Sequence, residues 1–459
     1  MTNTAFSTLS LSPAMLANLD SLGYLSMTPI QARALPVVLA GKDLIAQAKT
    51  GSGKTAAFGI GLLNTLNVRY LGCQALVLCP TRELADQVAR DIRRLARGED
   101  NIKVLTLCGG VPGGPQRASL EHGAHIIIGT PGRVQEHIER GSLVLDGLNM
   151  LVLDEADRML DMGFYDSIAT IIAKTPARRQ TLLFSATYAG TVKKLASNFM
   201  REPAFIKVEA LHDESQIEQR FYGIDPDQRL DAVAKVLACY RPESTVAFCF
   251  TKQQCQEVAN YLVARNISAM ALHGDLEQRE RDQVLALFAN RSLSVLVATD
   301  VAARGLDIEA LDMVVNVELA RSAEIHIHRI GRTGRAGNKG MAVSLVASAE
   351  ARRAQAIEEI QGKALNWHPL SSLKPQAGGP LQPPMVTLCI AAGRKDKLRP
   401  GDILGALTGE AGIQATEVGK ITLFPSQALV AVARTTAPRA LERLSAGRIK
   451  GRSLRVRLL

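Results

Sequence analysis

The chain contains many short, continuous apolar runs, each followed by a polar or glycine-containing turn and then by a helix-like pattern. The first half contains DLIAQA, QALVLCP, VLTLCGG, HIIIGT, MLVLDEAD and QTLLFSAT, and the second half contains STVAFCF, AMALHG, LSVLVATD, MVVNVEL and MAVSLVA. Continuous apolar strands that alternate with longer helical segments are typical of parallel sheets covered on both faces. Each set suffices for one domain, so the pattern predicts two α/β domains, at residues 1–208 and 215–365. In such sheets ligands bind at the carboxyl ends of the strands.

The segment from His368 to Pro384, HPLSSLKPQAGGPLQPP, is rich in proline, glycine and serine and shows no periodicity. It predicts a linker, at residues 366–382. The patterns that follow, MVTLCIAAG, RPGDILGALTGEAG, GKITLFP, ALVAVAR, PRALERLSAG and RSLRVRLL, predict strand, helix, strand, strand, helix and strand. This βαββαβ order predicts a ferredoxin-like domain at residues 383–459, of the kind that RNA-recognition modules use.

Basic residues are concentrated in this last domain. Residues 383–459 contain 13 Lys and Arg against 5 Asp and Glu, whereas the remainder of the chain contains 41 against 39. A basic module on a nearly neutral body is typical of a domain that binds a polyanion. The alternative is a basic face that serves only solubility.

The composition favours a cytoplasmic protein with reduced thiols. No run approaches the ~18 uninterrupted apolar residues of a membrane helix. The first twenty residues contain no Lys or Arg and include Pro13, which disfavours a secretory signal. The seven cysteines include no C-x-x-C pair and mostly lie inside apolar runs, as buried free thiols do.

A glycine-rich loop follows the first apolar run, in QAKTGSGKT. Gly51 and Gly53 allow backbone N–H groups to approach phosphate oxygens, and the helix that begins near Thr55 adds the positive end of its dipole. Lys54 supplies a charge for the β- and γ-phosphates, and the Thr55 hydroxyl can bind Mg²⁺. The usual phosphate-loop pattern starts with glycine, and this chain has the small residue Ala48 at that position. We predict that the nucleotide-binding loop comprises Ala48, Lys49, Thr50, Gly51, Ser52, Gly53, Lys54 and Thr55.

Carboxylates follow a second buried strand, in LVLDEAD. At the tip of that strand Asp154 is placed to hold Mg²⁺, directly or through water. Glu155 is placed to orient and deprotonate the attacking water. The alternative, an acidic loop that caps the next helix, is weakened by the glycine-rich loop in the same domain.

The residues Asp154-Glu155-Ala156-Asp157 spell the motif for which the DEAD-box RNA helicases are named, and the resemblance extends over the two-domain body. It implies two tandem RecA-like domains that use ATP and Mg²⁺. GYLSMTPIQ resembles the adenine-reading Q motif of the family, with Phe6 as its upstream aromatic residue. Since a glutamine can bond the N6/N7 edge of adenine, the resemblance implies that Gln31 selects ATP. The family also tolerates alanine at the start of the phosphate loop.

Further segments resemble the RNA contacts of the family. In the first domain these are PTRELA, Gly109-Gly110 and TPGR, and in the second they are HGDLEQRER and VATDVAARGLD. The residues that the resemblance implies as RNA contacts in the helicase body are Arg82, Gly110, Thr130, Arg133, Arg281 and Thr299.

Two further segments resemble elements that act on the bound nucleotide. SAT, Ser185 to Thr187, resembles the element that couples ATP state to RNA binding, and HRIGRTGRAG resembles the last helicase motif. Arg332 and Arg335 would act as arginine fingers on the γ-phosphate, a role worth about 10³–10⁵ in rate. The resemblance places Asp307 at the ribose and adds His328 to the coupling residues.

The last domain resembles the RNA-binding domain of the DbpA subfamily, in RPGDILGALTGEAGI, GKI and IKGRSLRVRLL. The implied target is a hairpin of 23S-type large-subunit ribosomal RNA, in the precursor of that subunit, and the implied role is bacterial ribosome assembly. Its third strand, ALVAVAR, lacks the aromatic residues that normally stack on bases. We therefore expect contacts from basic residues, namely Arg394, Lys395, Lys397, Arg399, Lys420, Arg448, Lys450 and Arg452.

The resemblance implies an ATP-dependent RNA helicase that opens short duplexes locally and needs no DNA or membrane partner. A DNA helicase or translocase with the same core is one alternative, and it would not require RNA for ATP hydrolysis. A non-enzymatic RNA clamp is the other. Lys54, Glu155 and the two arginines argue against the clamp, because a pure binder needs no arginine fingers.

Overall fold

The apolar runs of the first half form one parallel sheet in the computed structural model, which describes residues 4–48, 51–99, 101–188, 190–208, 217–303, 311–334, 339–409 and 412–459. The strands are β1 (Leu44–Gln47), β2 (Ala75–Leu78), β3 (Val104–Leu107), β4 (Ile126–Gly129), β5 (Met150–Leu153), β6 (Gln180–Ser185) and β7 (Ala204–Lys207). The helices are α1 (Pro13–Ser21), α2 (Pro29–Leu39), α3 (Lys54–Asn64), α4 (Arg82–Leu95), α5 (Gly113–Glu121), α6 (Pro131–Glu139), α7 (Ala156–Asp161), α8 (Tyr165–Ala173) and α9 (Gly190–Phe199).

The strand order of this sheet is β3-β4-β2-β5-β6-β1-β7, and every neighbouring pair is parallel. Strands β2, β4 and β5 are buried at every position, because apolar side chains on both faces pack under helices. One core cluster includes Phe58 and Phe184, and a second includes Leu151 and Ile171. The predicted α/β architecture with a parallel sheet is confirmed for this part of the chain.

The apolar runs of the second half form a second parallel sheet. Its strands are β8 (Ile217–Ile224), β9 (Thr245–Cys249), β10 (Ala269–Leu272), β11 (Val295–Thr299), β12 (Met313–Asn316), β13 (Gly340–Ala347) and β14 (Trp367–His368). The helices are α10 (Arg229–Tyr240), α11 (Lys252–Val263), α12 (Gln278–Ala289), α13 (Asp300–Ala303), α14 (Ala323–Ile330) and α15 (Ala351–Gln361). The strand order is β10-β11-β9-β12-β13-β8-β14.

The two sheets repeat one topology. When the strands of each sheet are numbered by their own order in the chain, both sheets have the order 3-4-2-5-6-1-7 among the described residues. A loop that follows the nth strand of one sheet therefore lies at the same position along the carboxyl edge as the loop that follows the nth strand of the other sheet.

The basic C-terminal domain is a small antiparallel sheet with two helices. Its elements are β15 (Met385–Ile390), α16 (Pro400–Thr408), β16 (Val418–Leu423), β17 (Ala428–Ala433), α17 (Ala437–Ala446) and β18 (Val456–Leu458). The order βαββαβ is the predicted one, and the sheet order is β16-β17-β15-β18. Alternate residues of the central strands, such as Leu388 and Val430, form a core with the helices.

The other face of this sheet packs on helix α12 of the second parallel-sheet domain. Cys389 and Leu429 form a buried apolar cluster with Ala286. At the edge of the contact the Thr387 hydroxyl donates to the Ser292 hydroxyl at 2.7 Å, and Arg279 donates to Gln427 at 3.3 Å. The two domains belong to one compact unit, which is distinct from the unit that contains the first sheet.

Part of the segment predicted as a linker lies against the second sheet. Trp367 and His368 form β14 and pair with Phe221 and Tyr222 of β8, and Leu373 is buried in the core of that domain. Further along, Gln376 donates its backbone N–H to the carbonyl of Ala238. In the described part of the chain, no helix combines the length and apolar character required to cross a membrane.

Candidate nucleotide and RNA sites

Strand order divides the carboxyl edge of the first sheet into two halves. Strands β5, β6 and β1 are neighbours, and they are followed by the DEAD residues, by SAT and by the phosphate loop. Strands β3, β4 and β2 are also neighbours, and they are followed by Gly109-Gly110, TPGR and PTRELA. The predicted nucleotide residues and the predicted RNA residues of this unit are therefore separated by topology.

The described part of the phosphate loop has the backbone that glycine permits. Gly51 and Gly53 have φ of +83° and +92°, in the left-handed region, and Gly53 caps helix α3. A Cβ on Gly53 would lie 2.5 Å from the side-chain nitrogen of Gln31, so a side chain there would displace the Gln31 carboxamide. The predicted loop residues Lys49 and Thr50 lie outside the described residues.

The carboxamide of Gln31 connects the Q motif to the phosphate loop. Its oxygen accepts from the backbone N–H of Thr28 at 2.9 Å, and its nitrogen donates to the carbonyl of Gly53 at 3.1 Å. The Thr28 hydroxyl donates to the carbonyl of Ser52 at 2.8 Å. A glutamine amide carries two N–H groups and two oxygen lone pairs, so one of each remains for a base edge.

Phe6 lies in the core beneath the Q motif. Its ring is 5% exposed and meets the ring of Tyr24 edge to face, with centroids 6.3 Å apart. Tyr24 is only half-buried. Phe6 therefore packs into the core next to the Q motif, in contact with Tyr24.

Asp154 lies at the carboxyl end of β5, where its carboxylate is almost completely buried. Burial raises the pKa of Asp154 to about 6, although the nearby Lys54 ammonium opposes that shift. The neighbouring Glu155 carboxylate adds to the rise. A buried carboxylate of this kind is stabilised in its charged form by a cation.

Three buried polar atoms at this edge have no hydrogen-bond partner among the described residues. They are Lys54 Nζ, Asp154 Oδ1 and Ser185 Oγ, which follow or end the neighbouring strands β1, β5 and β6. Buried polar atoms are nearly always satisfied, so three in one place indicate a site for a polar ligand. One cation, one carboxylate and one hydroxyl are the donor set that a Mg²⁺-bound polyphosphate requires.

The described residues contain no group of three or more His, Cys, Asp or Glu side chains arranged to hold a metal ion. Mg²⁺ at nucleotide sites is held by one or two protein oxygens together with phosphates and water. The small protein donor set at this edge fits that mode of binding.

Glu155 is held by its neighbour in helix α7. Its carboxylate forms an ion pair with Arg158, and both side chains are buried. The backbone of Glu155 has φ of +53°, which is uncommon for a residue with a side chain and typical of functional sites.

Asp157 connects the DEAD motif to SAT, a role that the sequence prediction did not assign to it. Its Oδ2 accepts from the backbone N–H groups of Ala186 and Thr187, at 3.1 and 3.0 Å, and from the Thr187 hydroxyl at 3.2 Å. The carbonyl of Ser185 accepts from the N–H of Ala48, at the start of the phosphate loop. SAT is thus hydrogen-bonded both to the DEAD motif and to the phosphate loop.

The predicted RNA residues of the first unit lie at the start of helices or in a glycine turn. Arg82 begins α4 and lies 3.7 Å from Asp86, and Thr130 caps α6. Gly110 has φ of +75°. Arg133 donates to Gln116 at 3.0 Å and pairs with Glu136 at 3.0 Å. All of these positions follow the strands β2, β3 and β4.

In the second domain, the predicted RNA residues follow or end the third and fourth strands of the sheet, as some of those in the first unit do. Arg281 lies on α12, after β10, and donates to the carbonyl of His273 at 3.4 Å. Thr299 ends β11, and its hydroxyl accepts from the N–H of Ala302. Strands β10 and β11 correspond in order to β3 and β4.

Arg332 follows helix α14 and is 7% exposed, and His328 lies in the last turn of that helix. The other two nucleotide residues predicted in this domain, Asp307 and Arg335, lie outside the described residues.

Arg329, which sequence reasoning did not single out, anchors helix α14. Its guanidinium bonds both carboxylate oxygens of Asp300 at 2.7 Å, and it also bonds Asn316 at 3.0 Å. It lies 5.0 Å from the centre of the Phe248 ring. The side chain is buried, so its role is to join the last helicase motif to the segment after β11.

The eight predicted RNA residues of the C-terminal domain are all exposed. Lys450 donates to the carbonyl of Lys397 at 2.6 Å, which brings the loop after β15 and the turn after α17 together. Both of these lysines have positive φ, at 54° and 57°. The two segments form one basic surface, and Lys420 lies on β16.

The chain matches three family models in sequence. Residues 28–195 match the DEAD/DEAH box helicase model, residues 228–337 match the helicase conserved C-terminal domain, and residues 387–458 match the DbpA RNA binding domain.

Similar proteins cover the whole chain. It is 53% identical to ATP-dependent RNA helicase DbpA of Escherichia coli (strain K12) over 99% of this chain and 100% of that protein. It is 36% identical to the DbpA of Bacillus subtilis (strain 168) over 98% of each. Among solved structures, S. cerevisiae Dbp5 bound to RNA and ADP BeF3 matches with a TM-score of 0.73 and 30% identity, over 80% of this chain and 96% of that one.

Both parallel sheets, the nucleotide motifs and the C-terminal module thus agree with one family. The chain belongs to the DEAD-box ATP-dependent RNA helicases of the DbpA type, enzymes with RNA-dependent ATPase activity.

Proposed function

We propose that this enzyme uses Mg²⁺-bound ATP to open a hairpin region of large-subunit ribosomal RNA during ribosome assembly. The observation that carries the nucleotide part is the group of buried, unpartnered atoms Lys54 Nζ, Asp154 Oδ1 and Ser185 Oγ. Lys54 would bind the β- and γ-phosphates, and Thr55 with Asp154 would hold Mg²⁺. Glu155 would orient and deprotonate the attacking water, because its carboxylate is fixed by Arg158.

The remaining nucleotide residues have separate roles in this proposal. Gln31 would read adenine with its remaining N–H and lone pair, and the loop from Ala48 to Thr55 would enclose the phosphates. Arg332 and Arg335 would stabilise the charge that develops on the γ-phosphate, and Asp307 would contact the ribose. Bound Mg²⁺ neutralises part of that charge as the phosphate is transferred.

RNA would bind the loops that follow β2, β3 and β4 in the first unit and the loops that follow β9, β10 and β11 in the second domain. ATP and one RNA strand would each contact both domains and so draw them together. Each ligand must then tighten the binding of the other by the same factor. Hydrolysis would release the γ-phosphate from the arginines, and Ser185, Thr187 and His328 would transmit that change.

The C-terminal domain would select the target. Its sheet face lies against Ala286, so it does not offer the open surface on which other RNA-recognition modules stack bases. The exposed basic surface formed by the loop after β15 and the turn after α17 supports recognition through phosphates and loops instead. We propose the 23S-type hairpin as that target.

The proposed domain limits are 1–208, 215–365 and 383–459, with a connecting segment at 366–382.

We propose that the protein works in the reducing cytoplasm, where buried free thiols such as those of Cys79 and Cys249 stay reduced.

The test is ATP hydrolysis with RNA and with DNA of matched sequence, and with RNA that contains or lacks the target hairpin. The RNA that contains the hairpin should stimulate most, and DNA should not stimulate. Lys54→Ala or Glu155→Gln should abolish the stimulated rate. Turnover retained in both variants would contradict the catalytic roles.

Deleting the C-terminal domain would uncover Ala286, so target selection is better tested by substitution. Lys395→Gln, Arg399→Gln and Arg452→Gln together should reduce the preference for the hairpin and lower the salt dependence of its binding by about 2 in slope. The control carries Lys235→Gln, an exposed lysine of α10. A preference that survives the triple substitution would contradict the proposed target surface.

A further inference from the structure

Arg133 of TPGR is fixed by a buried network that neither the family motifs nor the sequence prediction includes. Its NH1 donates to Gln116 Oε1 at 3.0 Å, and the same oxygen lies 3.0 Å from His137 Nε2. The Gln116 nitrogen donates to the carbonyl of Cys108 at 3.0 Å, just before Gly109-Gly110. Gln116 and His137 are 9% and 2% exposed.

The donors and acceptors of this network permit one orientation of the Gln116 amide. If the Gln116 amide were turned over, its NH₂ group would face the Arg133 guanidinium and its oxygen would face the Cys108 carbonyl, and both contacts would be repulsive. The oxygen must therefore face Arg133. Because that oxygen can only accept, His137 must present its proton at Nε2. Its Nδ1 lies 2.8 Å from the Ser142 hydroxyl.

The charges around His137 agree with a neutral ring. Burial lowers the pKa of His137, and the positive charge of Arg133 lowers it further. Arg117 and Arg140 act in the same direction, and Glu136 opposes them. A neutral imidazole can donate at Nε2 to Gln116. Its Nδ1 can accept from the Ser142 hydroxyl when that hydroxyl turns away from the His137 carbonyl, its other acceptor at 3.1 Å.

We infer that Gln116 and His137 are positioning residues, which hold the Arg133 guanidinium in the orientation that an RNA phosphate engages. The inference rests on the proposed RNA contact of Arg133. Two sides of the guanidinium are occupied, by Gln116 and Glu136, so its remaining N–H groups face a fixed direction. Holding a long side chain in advance removes part of the entropy cost of binding. The network also joins the segment before Gly109-Gly110 to TPGR, two predicted RNA segments.

The experiment is a double-mutant cycle on RNA affinity, measured in the full chain with a non-hydrolysed ATP analogue. Gln116→Met keeps the side-chain volume and removes the hydrogen bonds. In the presence of Arg133 it should weaken RNA binding about three- to tenfold, as expected for one lost hydrogen bond. In the Arg133→Gln background it should have no further effect, because its only route to RNA is gone.

His137 supplies an independent comparison. His137→Gln keeps an N–H donor near the position of Nε2 and should retain RNA affinity, whereas His137→Leu should lower it as Gln116→Met does. The dissociation constant of the ATP analogue without RNA should not change in the Gln116 and His137 variants. If Gln116→Met fails to fold, the two His137 variants in both Arg133 backgrounds make the same test.

The matched control is Gln74→Met, at the amino end of β2. Gln74 is buried and also makes three hydrogen bonds, to Asn67 and Tyr70. Its loss should lower thermal stability without changing RNA affinity.

The possible failures are distinguishable. If Arg133→Gln changes neither RNA affinity nor its salt slope, expected to fall by about 0.7 for one lost phosphate contact, the proposed RNA contact is wrong. If Arg133→Gln has these effects but Gln116→Met weakens binding equally in both backgrounds, the network acts through general structure and the inference is overturned. Unchanged affinity in Gln116→Met and His137→Leu would overturn it as well.

Discussion

The carboxylate of Asp157 accepts a hydrogen bond from the backbone N–H of Thr187 at 3.0 Å, and so joins the carboxyl end of β5 to that of β6. The same oxygen also accepts from Ala186 and from the Thr187 hydroxyl. A change at the nucleotide motif after β5 therefore reaches SAT through one side chain. Since Ser185 also bonds Ala48, SAT contacts both the DEAD motif and the phosphate loop directly.

Asp157→Ala should uncouple ATP hydrolysis from duplex opening. The substitution leaves three donors of the SAT segment without their acceptor, so that segment should lose its fixed position. We expect fewer duplexes opened per ATP hydrolysed, measured by parallel strand-separation and phosphate-release assays. Asp146→Asn, at an exposed position before β5, is the control. An unchanged ratio in Asp157→Ala would contradict the coupling role.

Asp154→Asn should stabilise the ligand-free protein above pH 6. The folded-state pKa of about 6 lies above the ordinary aspartate value of 3.8, so ionised Asp154 destabilises the fold. The free-energy cost of ionising Asp154 is absent below its pKa in the unfolded chain. It grows as the pH rises from that pKa to the folded-state pKa, and it is complete above pH 6. It amounts to at most about 3 kcal/mol, at about 1.4 kcal/mol per pKa unit.

The measurement is thermal unfolding of both proteins in metal-free buffer between pH 4 and 8. The difference in Tm should be greatest at the alkaline end and should shrink as the pH falls toward 4. A difference that is constant over this range would exclude the raised pKa as its cause. The variant should also lose ATP hydrolysis, since a residue kept at a cost to stability is expected to have a function.

Arg329→Lys should destabilise the second domain without acting on chemistry directly. Lysine cannot reproduce the two parallel bonds to Asp300 or the additional bond to Asn316. Breaking a buried pair by removing one partner costs about 3–5 kcal/mol, and because lysine keeps the positive charge we expect a loss near or below the lower end of that range. Denaturant unfolding followed by a probe in this domain measures the loss, and Arg321→Lys at an exposed position is the control. Equal midpoints for both variants would contradict the anchoring role.

Ala286→Glu should separate the C-terminal domain from helix α12. A buried carboxylate against Cys389 and Leu429 has no partner, so the contact should open. We expect faster proteolysis in the segment between the domains, around Pro380–Pro384, and two calorimetric transitions in place of one for this unit. Ala289→Glu, on the same helix but exposed, should leave both observables unchanged. Identical behaviour of the two variants would mean that the contact contributes little.

The sequence predicted the strands that are buried on both faces. All eleven apolar runs form strands, because continuous burial requires continuous apolar residues. The strands β7 and β8 were not predicted, nor was the short β14, which lies in the predicted linker. β7 is partly exposed, and β8 alternates apolar with charged residues such as Glu218 and Arg220, so neither shows an apolar run.

The motifs of the site were predictable, but the bonds between them were not. Short motifs identify residues by type and spacing, whereas Asp157, Arg329 and Gln116 act through partners 8 to 30 residues away. The contact of Leu429 with Ala286 could not be predicted from the sequence either. Periodicity shows that an apolar residue is buried without showing what covers it. The lack of aromatic residues in β17 was the available signal, since a covered face cannot stack on bases.

Ligand-driven approach of the two units is the central claim, and energy transfer between them tests it most directly. Dyes attached through Asp146→Cys in one unit and Glu257→Cys in the other would report the distance, in a background that replaces the partly exposed thiol Cys239. Transfer should rise only when ATP analogue and RNA are both present, and Lys54→Ala should suppress the rise. Equal transfer with and without the two ligands would contradict the account.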